Sequence, residues 1–423
     1  MITKIEAANF RCLRNVSQTL GGFHVITGPN GAGKTTFLDV PRILAAYARE
    51  GIDAVWDTAR AKTFQEILFH GQGISAQWAV EARIPGSIRE ATRNGKESPF
   101  HFVRYEVEVG WGENGALDAP PMILAENLWL LPKTSEVPRG QIVQQELLFP
   151  SKSLDGRRLI TGKTPSGWVK SASKTKQGNA YFKDEKTKFN LQIRNPAGKS
   201  ALSTLPEDEV RFPLSNWFKS ELISRVQRIR LRSEVMQEPS SPLKDRRFAV
   251  DGSNLPQVVR ELKKNKPAWK GWMAHLGTVL QIKDIEVMEL EATRSLFLVV
   301  EYRNGNRVKS WHLSDGTLRL LALTLLAYIE SSGAVYLIEE PENGIHPQAI
   351  EAVFQSLSAL DEGQALVATH SPVMVAQVSP SHLLCFSKLN DETDILRGDL
   401  HPKLQGWKGG LQLSQLYAAG ILS

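Results

Sequence analysis

The stretch Gly28-Pro29-Asn30-Gly31-Ala32-Gly33-Lys34-Thr35 constrains this chain more than any other, because it is a complete phosphate-binding loop in the setting such a loop needs. Phe23 to Thr27 before it reads as a short buried strand, and Thr36-Phe37-Leu38-Asp39 after it reads as helix. Strand, glycine loop and helix together predict a P-loop α/β fold. Glycines let consecutive backbone N–H groups point at phosphate oxygens, where a side chain would block them. The helix N-terminus adds partial positive charge. In that arrangement Lys34 reaches the β- and γ-phosphates and the Thr35 hydroxyl holds Mg²⁺.

With 423 residues, 42% hydrophobic and 23% charged, the chain can bury a substantial core in two or three lobes. Its longest apolar run, Leu318 to Ile329, is interrupted by Arg319 and Thr324 and is too short to cross a bilayer. The opening Met-Ile-Thr-Lys-Ile-Glu lacks the apolar region of a signal peptide. Cys12 and Cys385 are the only cysteines, which excludes a disulfide framework and a clustered thiolate site. A cytoplasmic protein with no membrane partner is expected. Net charge is +6 but uneven: residues 152–270 hold 26 Lys and Arg against 12 Asp and Glu, so that span carries +14 and the remainder −8. A basic middle between acidic ends suits either a nucleic-acid surface or a solvated, lysine-rich face.

Three segments are predicted. Residues 1–131 carry the P-loop and an antiparallel β subdomain, because Ser75 to Arg83 and Phe102 to Val109 alternate in strand fashion. Residues 132–284 form an inserted basic lobe: short strands and loops to about 205, then a helical pattern from Pro213 to Leu280 that includes Leu255, Val258, Val259 and Leu262. Residues 285–423 return to α/β character. There Val335 to Ile338 and Ala365 to Ala368 are continuous apolar runs of parallel-strand type. Between them Ile350, Val353, Phe354, Leu357 and Leu360 repeat at helical spacing after Pro347, and a helix apolar on all sides is predicted from near Asp315 to Ile329.

Four further pieces bear on chemistry. Leu313-Ser314-Asp315-Gly316-Thr317 places a hydroxyl at a helix start, as an anion contact or simply a turn and cap. Val335-Tyr336-Leu337-Ile338-Glu339-Glu340 ends a buried strand in two carboxylates. One can orient Mg²⁺ and the next can orient or deprotonate water; the bland alternative is a solvated strand end. Pro341-Glu342-Asn343-Gly344-Ile345-His346-Pro347 follows at once. Finally Ala368-Thr369-His370-Ser371-Pro372 puts His370 just past another strand of the same sheet, where open α/β sheets bind ligands and where it could sense a γ-phosphate.

In this order and spacing the pieces resemble the ABC-type ATPases, in the soluble branch that contains RecF, SMC heads and OLD-family ATPases. Ile5 to Arg11, with Asn9-Phe10-Arg11, is similar to that branch's first strand; Gly28 to Thr35 to Walker A; Leu313 to Thr317 to the signature motif. Glu339 and Glu340 are similar to the end of Walker B, His370 to the switch histidine, and Asp251 to Leu255 to a segment recurring in RecF-like ATPases. The resemblance implies ATP and Mg²⁺ as cofactors, with Asn30, Gly31, Gly33, Lys34, Thr35, Thr36, Arg11, Ser314 and Gly316 on the nucleotide. It implies Thr35 and Glu339 on the metal, and Glu340, His370 and Lys34 as catalytic groups. It further implies a homodimer or higher homo-oligomer, in which ATP on one P-loop meets Ser314 of the facing head. Walker B here ends Glu-Glu where many relatives have Asp-Glu, and Asp315 stands where transporters have Gly. The Q-loop glutamine is open among Gln72, Gln141, Gln144 and Gln145.

Lys34 and Ser314 lie 280 positions apart, yet the insertion has prolines, glycines and strand-like alternation with no heptad run. The expected architecture is therefore an α/β P-loop ABC ATPase head with a mixed sheet, an antiparallel β subdomain and an inserted helical and loop-rich lobe, without a long coiled coil. The 53 residues after His370 contain no Asp-x-Asp, so any nuclease is expected on a separate chain. What remains resembles stand-alone ATPase subunits of bacterial antiphage systems such as PARIS and Septu, which control a partner effector. The alternative is a RecF-like clamp that binds DNA through the basic 152–270 lobe, with Arg225, Arg228, Arg230 and Arg232 as its surface unless these pair with carboxylates inside the lobe. Intact Lys34, Thr35 and Glu340 argue against a switch that never hydrolyses.

Overall fold

Period-two patterning in the first half and apolar runs in the second give strands of two kinds. The computed structural model describes residues 1–91, 97–111, 120–133, 158–175, 178–244, 247–389, 391–404 and 415. From the N-terminus come strands β1 (Ile2–Phe10), β2 (Leu13–Thr19) and β3 (Phe23–Thr27), helices α1 (Lys34–Glu50) and α2 (Asp53–Ala59), β4 (Ser75–Arg83), α3 (Gly86–Ala91), β5 (Phe100–Gly110) and β6 (Met122–Pro132). The middle adds β7 (Val169–Lys174), β8 (Asn179–Lys183), β9 (Asn190–Arg194), α4 (Pro213–Trp217), β10 (Val226–Ile229), α5 (Ser233–Gln237), α6 (Leu255–Leu262) and α7 (Lys266–Leu276). Then follow β11 (Ile282–Glu289), β12 (Leu296–Tyr302), β13 (Arg307–Lys309), α8 (Asp315–Leu325), β14 (Val335–Glu339), α9 (Pro347–Ser358), β15 (Gln364–Ala368), α10 (Pro372–Gln377), β16 (Leu383–Leu389) and β17 (Glu392–Arg397).

The chain divides into two compact units, one of Met1–Gly21, Gly28–Val226 and Phe386–Leu396, the other of Gly22–Thr27, Gln227–Cys385 and Arg397–Ser423. The first is built on an eight-stranded sheet in the order β2-β1-β4-β5-β6-β7-β8-β9, antiparallel at every pairing. Trp78, Tyr105 and Trp129 are fully buried on it. Arg104 on β5 lies directly across from Glu81 on β4, 2.9 Å away, and also pairs with Glu106 at 2.6 Å and with Glu6 of β1. A buried cation needs such company, since desolvating it alone would be prohibitive. Glu126 of β6 accepts hydrogen bonds from Tyr47 of α1 at 2.7 Å, Tyr105 at 2.8 Å and Ser200 at 2.6 Å. These bonds tie the helix that follows the P-loop to the sheet.

The second unit is built on strands whose residues are almost wholly buried, as parallel strands covered on both faces must be. β14 pairs with β15, β15 with β3 and β3 with the start of β16, all parallel, and β10 flanks β14. Against them pack α8, buried along most of its length, and α9 through Ile350, Val353 and Leu357. Thr324, buried inside α8, accepts from the Trp272 indole at 3.0 Å and donates to the Leu320 carbonyl at 2.7 Å. β11, β12 and β13 form a separate antiparallel sheet.

This is the mixed α/β architecture the sequence predicts. The longest helix among the described residues, α1, has 17 residues, so none of them builds a long coiled coil. One expectation is corrected: the span from Pro213 to Leu280 is not uniformly helical. It passes through a π-helical turn at Phe218–Leu222 and then β10, because that short segment satisfies its backbone by lying beside β14.

Candidate nucleotide site

In the first unit the loop after β3 takes the conformation its glycines allow. Gly28, Gly31 and Gly33 all have positive φ, at 145°, 78° and 96°. A β-carbon on Gly28 would lie 2.2 Å from the Phe386 carbonyl oxygen, and one on Gly33 would lie 2.4 Å from the Thr393 hydroxyl. Only Gly31 faces open space, with nothing within 4 Å of its missing β-carbon. Lys34, the first residue of α1, donates from Nζ to the carbonyls of Gly28 at 2.7 Å and Pro29 at 2.9 Å, which curls the loop around its ammonium. Asn30 and Gly31 are exposed at the loop tip, while Thr35 and Thr36 are half-buried on the first turn of α1.

Arg11 sits in the β1–β2 turn in a left-handed conformation, its guanidinium bonded to the Ala59 carbonyl and stacked by Phe10. Burial lowers its pKa, with Asp39 opposing. Asn9 beside it, also left-handed, donates to the carbonyls of Gln72 at 3.0 Å and Ser75 at 2.8 Å. Of the Q-loop candidates, Gln72 is exposed on the turn before β4, and Gln141, Gln144 and Gln145 fall outside the described residues.

In the second unit the strand ends gather the remaining candidates. Glu339 closes β14 opposite Ala368 of β15, and the next N–H, of Glu340, donates to the Ala368 carbonyl at 2.7 Å. Glu340 is exposed, turns through a left-handed φ of 48°, and accepts from the Asn343 amide at 2.6 Å. His370 follows β15, half-buried. Its backbone N–H donates to Glu342 at 2.9 Å, and the Thr369 hydroxyl donates to the same carboxylate oxygen at 2.7 Å. The turn after β14 is thereby bolted to the turn after β15. Ser314 caps α8, accepting from the Thr317 N–H at 3.3 Å, and is exposed. Gly316 has no room for a side chain, because a β-carbon there would lie 2.4 Å from the Gly344 carbonyl oxygen.

Sequence reasoning missed three of these contacts. Glu342 lay within a recognised segment without a role. Asn9 was noted only as part of a motif, although a polar residue ending a strand is a turn-anchoring signal. The third is Arg228 of β10, which pairs at 2.5 Å with Glu339, a carboxylate outside residues 132–284; Arg225 pairs with Glu221 at 2.5 Å, as the alternative reading of the arginine run allowed. Half of the arginine run is therefore paired with carboxylates of the same chain, leaving Arg230 and Arg232 exposed and no continuous surface of four.

The AAA_21 family, described as "AAA domain, putative AbiEii toxin, Type IV TA system", matches residues 152–376. That span holds Ser314, Glu339, Glu340 and His370 and begins after the phosphate loop. Among curated proteins, the OLD nuclease of Thermus scotoductus is 50% identical over 38 residues, 9% of this chain and 7% of that protein. Protein ea59 of Escherichia phage lambda is 31% identical over 84 residues, 19% of this chain and 16% of that one. The chain thus matches less than a fifth of the length of either relative. Among solved structures, an SMC head bound to the C-terminal winged-helix domain of ScpA aligns over 93% of this chain and 97% of its own, with a TM-score of 0.53 at 13% identity. That likeness establishes the fold. The chain belongs to the AAA_21 family of ATPase domains and carries it on an ABC-type fold like that of SMC heads.

Proposed function

We propose that the protein binds ATP with Mg²⁺ at the P-loop, hydrolyses it slowly with Glu340 as the carboxylate that activates water, and uses ATP-dependent head association to control a separate effector protein. The observation that carries this reading is the phosphate loop: three left-handed or otherwise positive-φ glycines curled around the Lys34 ammonium, two of them in places where a β-carbon does not fit. Lys34 would turn from its two carbonyls to the β- and γ-phosphates, and the α1 N-terminus would add its partial charge. Thr35 and Glu339 are the oxygen donors that suit Mg²⁺, which ordinarily takes one or two protein oxygens and completes its shell with phosphate and water. When bound, the metal neutralises charge developing on the transferred phosphoryl group. Glu340 would take the proton from water, His370 would donate to the γ-phosphate, and Ser314 of a second copy would close the far side.

A defence role, in which the ATPase licenses a toxin-like or nuclease-like effector against phage, is supported by the toxin–antitoxin description of the family and by relatives named as an OLD nuclease and a phage protein. No helix among the described residues is long and apolar enough to cross a membrane. DNA binding through the basic lobe is the second reading; the exposed Arg230 and Arg232 favour it, and the internal pairing of Arg225 and Arg228 weakens it.

The test is steady-state phosphate release beside equilibrium binding of a fluorescent ATP analogue. Lys34→Ala is expected to lose binding. Glu340→Gln is expected to keep binding and lose turnover by about a hundredfold or more. Unchanged turnover in Glu340→Gln removes that residue from the chemistry, and unchanged binding in Lys34→Ala removes the P-loop.

A further inference from the structure

The arginine run marks Arg228 only as a candidate surface residue, yet it holds one of the two carboxylates on which the ATP-site reading depends. Resting on that reading, we propose that Arg228 is a positioning residue that competes with the divalent cation for Glu339, so that loading the metal and releasing this ion pair are a single event.

Arg228 lies on β10, the strand flanking β14, between the buried residues Val226 and Ile229. Its Nη2 is 2.5 Å from Glu339 Oε1, with the two side chains 10% and 23% exposed. A pair so shielded is weakly screened by salt and is held more firmly than one on the open surface. Guanidinium suits the place, being planar, permanently charged and less strongly hydrated than an ammonium. A half-buried carboxylate at a strand end must be balanced by some cation, and Arg228 supplies one. A divalent ion supplies another, but it would put two further positive charges beside the guanidinium. The two cations therefore oppose each other at Glu339, and whatever strengthens one weakens the other.

The neighbouring acid is placed differently. Glu340 is exposed on its left-handed turn, with Asn343 as partner. Adjacent carboxylates thus have separate surroundings: Glu339 belongs to a cation, and Glu340 is turned toward solvent. In this arrangement Arg228 keeps Glu339 ordered and charge-balanced until nucleotide brings the metal, and it raises the metal concentration the site requires.

The experiment is a Mn²⁺ titration followed by electron paramagnetic resonance, on the full chain with a non-hydrolysable ATP analogue. Wild type, Arg228→Gln, Arg228→Lys and Glu339→Gln would be compared, with circular dichroism confirming that each is folded. Arg228→Gln is expected to lower the half-saturating Mn²⁺ concentration about tenfold, the usual worth of one charge-assisted contact. Arg228→Lys, which keeps the charge but loses the planar fork, is expected to fall between and serves should Arg228→Gln not fold. Glu339→Gln is expected to weaken Mn²⁺ binding. Nucleotide-supported Mn²⁺ binding that is equally tight, or weaker, in both Arg228 variants overturns this inference alone. Wild-type protein that binds Mn²⁺ no better with the analogue than without it overturns the ATP-site reading as well.

Discussion

Glu340 follows a buried strand in a backbone conformation that glycine adopts freely and glutamate does not. A left-handed non-glycine residue costs about 1 kcal/mol or more, and such strain concentrates where a side chain must be aimed. Asn343 holds the carboxylate at 2.6 Å, and the Glu340 N–H is fixed to Ala368, so side chain and backbone are both constrained. If the strain serves chemistry, removing it should separate stability from turnover. Glu340→Gly is expected to melt no lower than wild type, and by the size of the relieved strain up to about 1 kcal/mol more stable, while phosphate release falls to background. Differential scanning calorimetry and a phosphate assay on the same preparation would read both. A Glu340→Gly protein that is markedly less stable would show that the side chain holds the turn together.

At the scale of elements, one contact in each unit can be tested by a single substitution. In the second unit α8 starts against the turn after β14, so closely that Gly316 faces the Gly344 carbonyl without room for a methyl group. Gly316→Ala is expected to cost about 1–3 kcal/mol, the usual penalty for overpacking a tight contact, measured by urea denaturation; an unaffected midpoint would mean the turn yields freely. In the first unit Arg104 gathers Glu6, Glu81 and Glu106 across β1, β4 and β5. Burial alone would raise the Glu6 carboxyl, but Arg104 and Lys4 outweigh it and bring it from 4.5 down to about 2. Between those values the unfolded chain binds more protons than the folded one. The stabilisation, about 3 kcal/mol as an order of magnitude, is complete above about pH 4.5 and is lost as pH falls toward 2. Glu6→Gln should be less stable at pH 7 and show a flatter acid limb over that window in pH-dependent melting. Parallel strands β3, β14 and β15 were legible because burial on both faces writes itself as an apolar run. β10 was not, because four residues inside a helical pattern become a strand only through a neighbour far along the chain. The polar strands β7 to β9 read only as short strands and loops, because their order comes from pairing onto β6. The partner of Arg228 stayed hidden for the same reason: an ion pair between remote segments leaves no periodicity.

For the whole molecule the question is whether two copies complete each other. The signature serine is exposed at the start of an 11-residue helix, already used as that helix's cap through Thr317. A cap that also faces a second copy can be separated into its two roles by chemistry. Aspartate caps helices about as well as serine, so Ser314→Asp should preserve α8 and the fold. It would, however, set a fixed negative charge where the proposed dimer brings the γ-phosphate of the facing copy, and like charges meeting in a closed interface cost several kcal/mol. Mass photometry with ATP and Mg²⁺ is expected to show a dimer for wild type, more dimer for Glu340→Gln, and monomer for both Lys34→Ala and Ser314→Asp. The two failures should differ in origin. Lys34→Ala should no longer bind the fluorescent ATP analogue, whereas Ser314→Asp should bind it as wild type does. A Ser314→Asp protein that still dimerises on ATP would place the contact elsewhere on the molecule, and a wild-type oligomer indifferent to ATP would make the assembly a constitutive scaffold whose nucleotide serves another step.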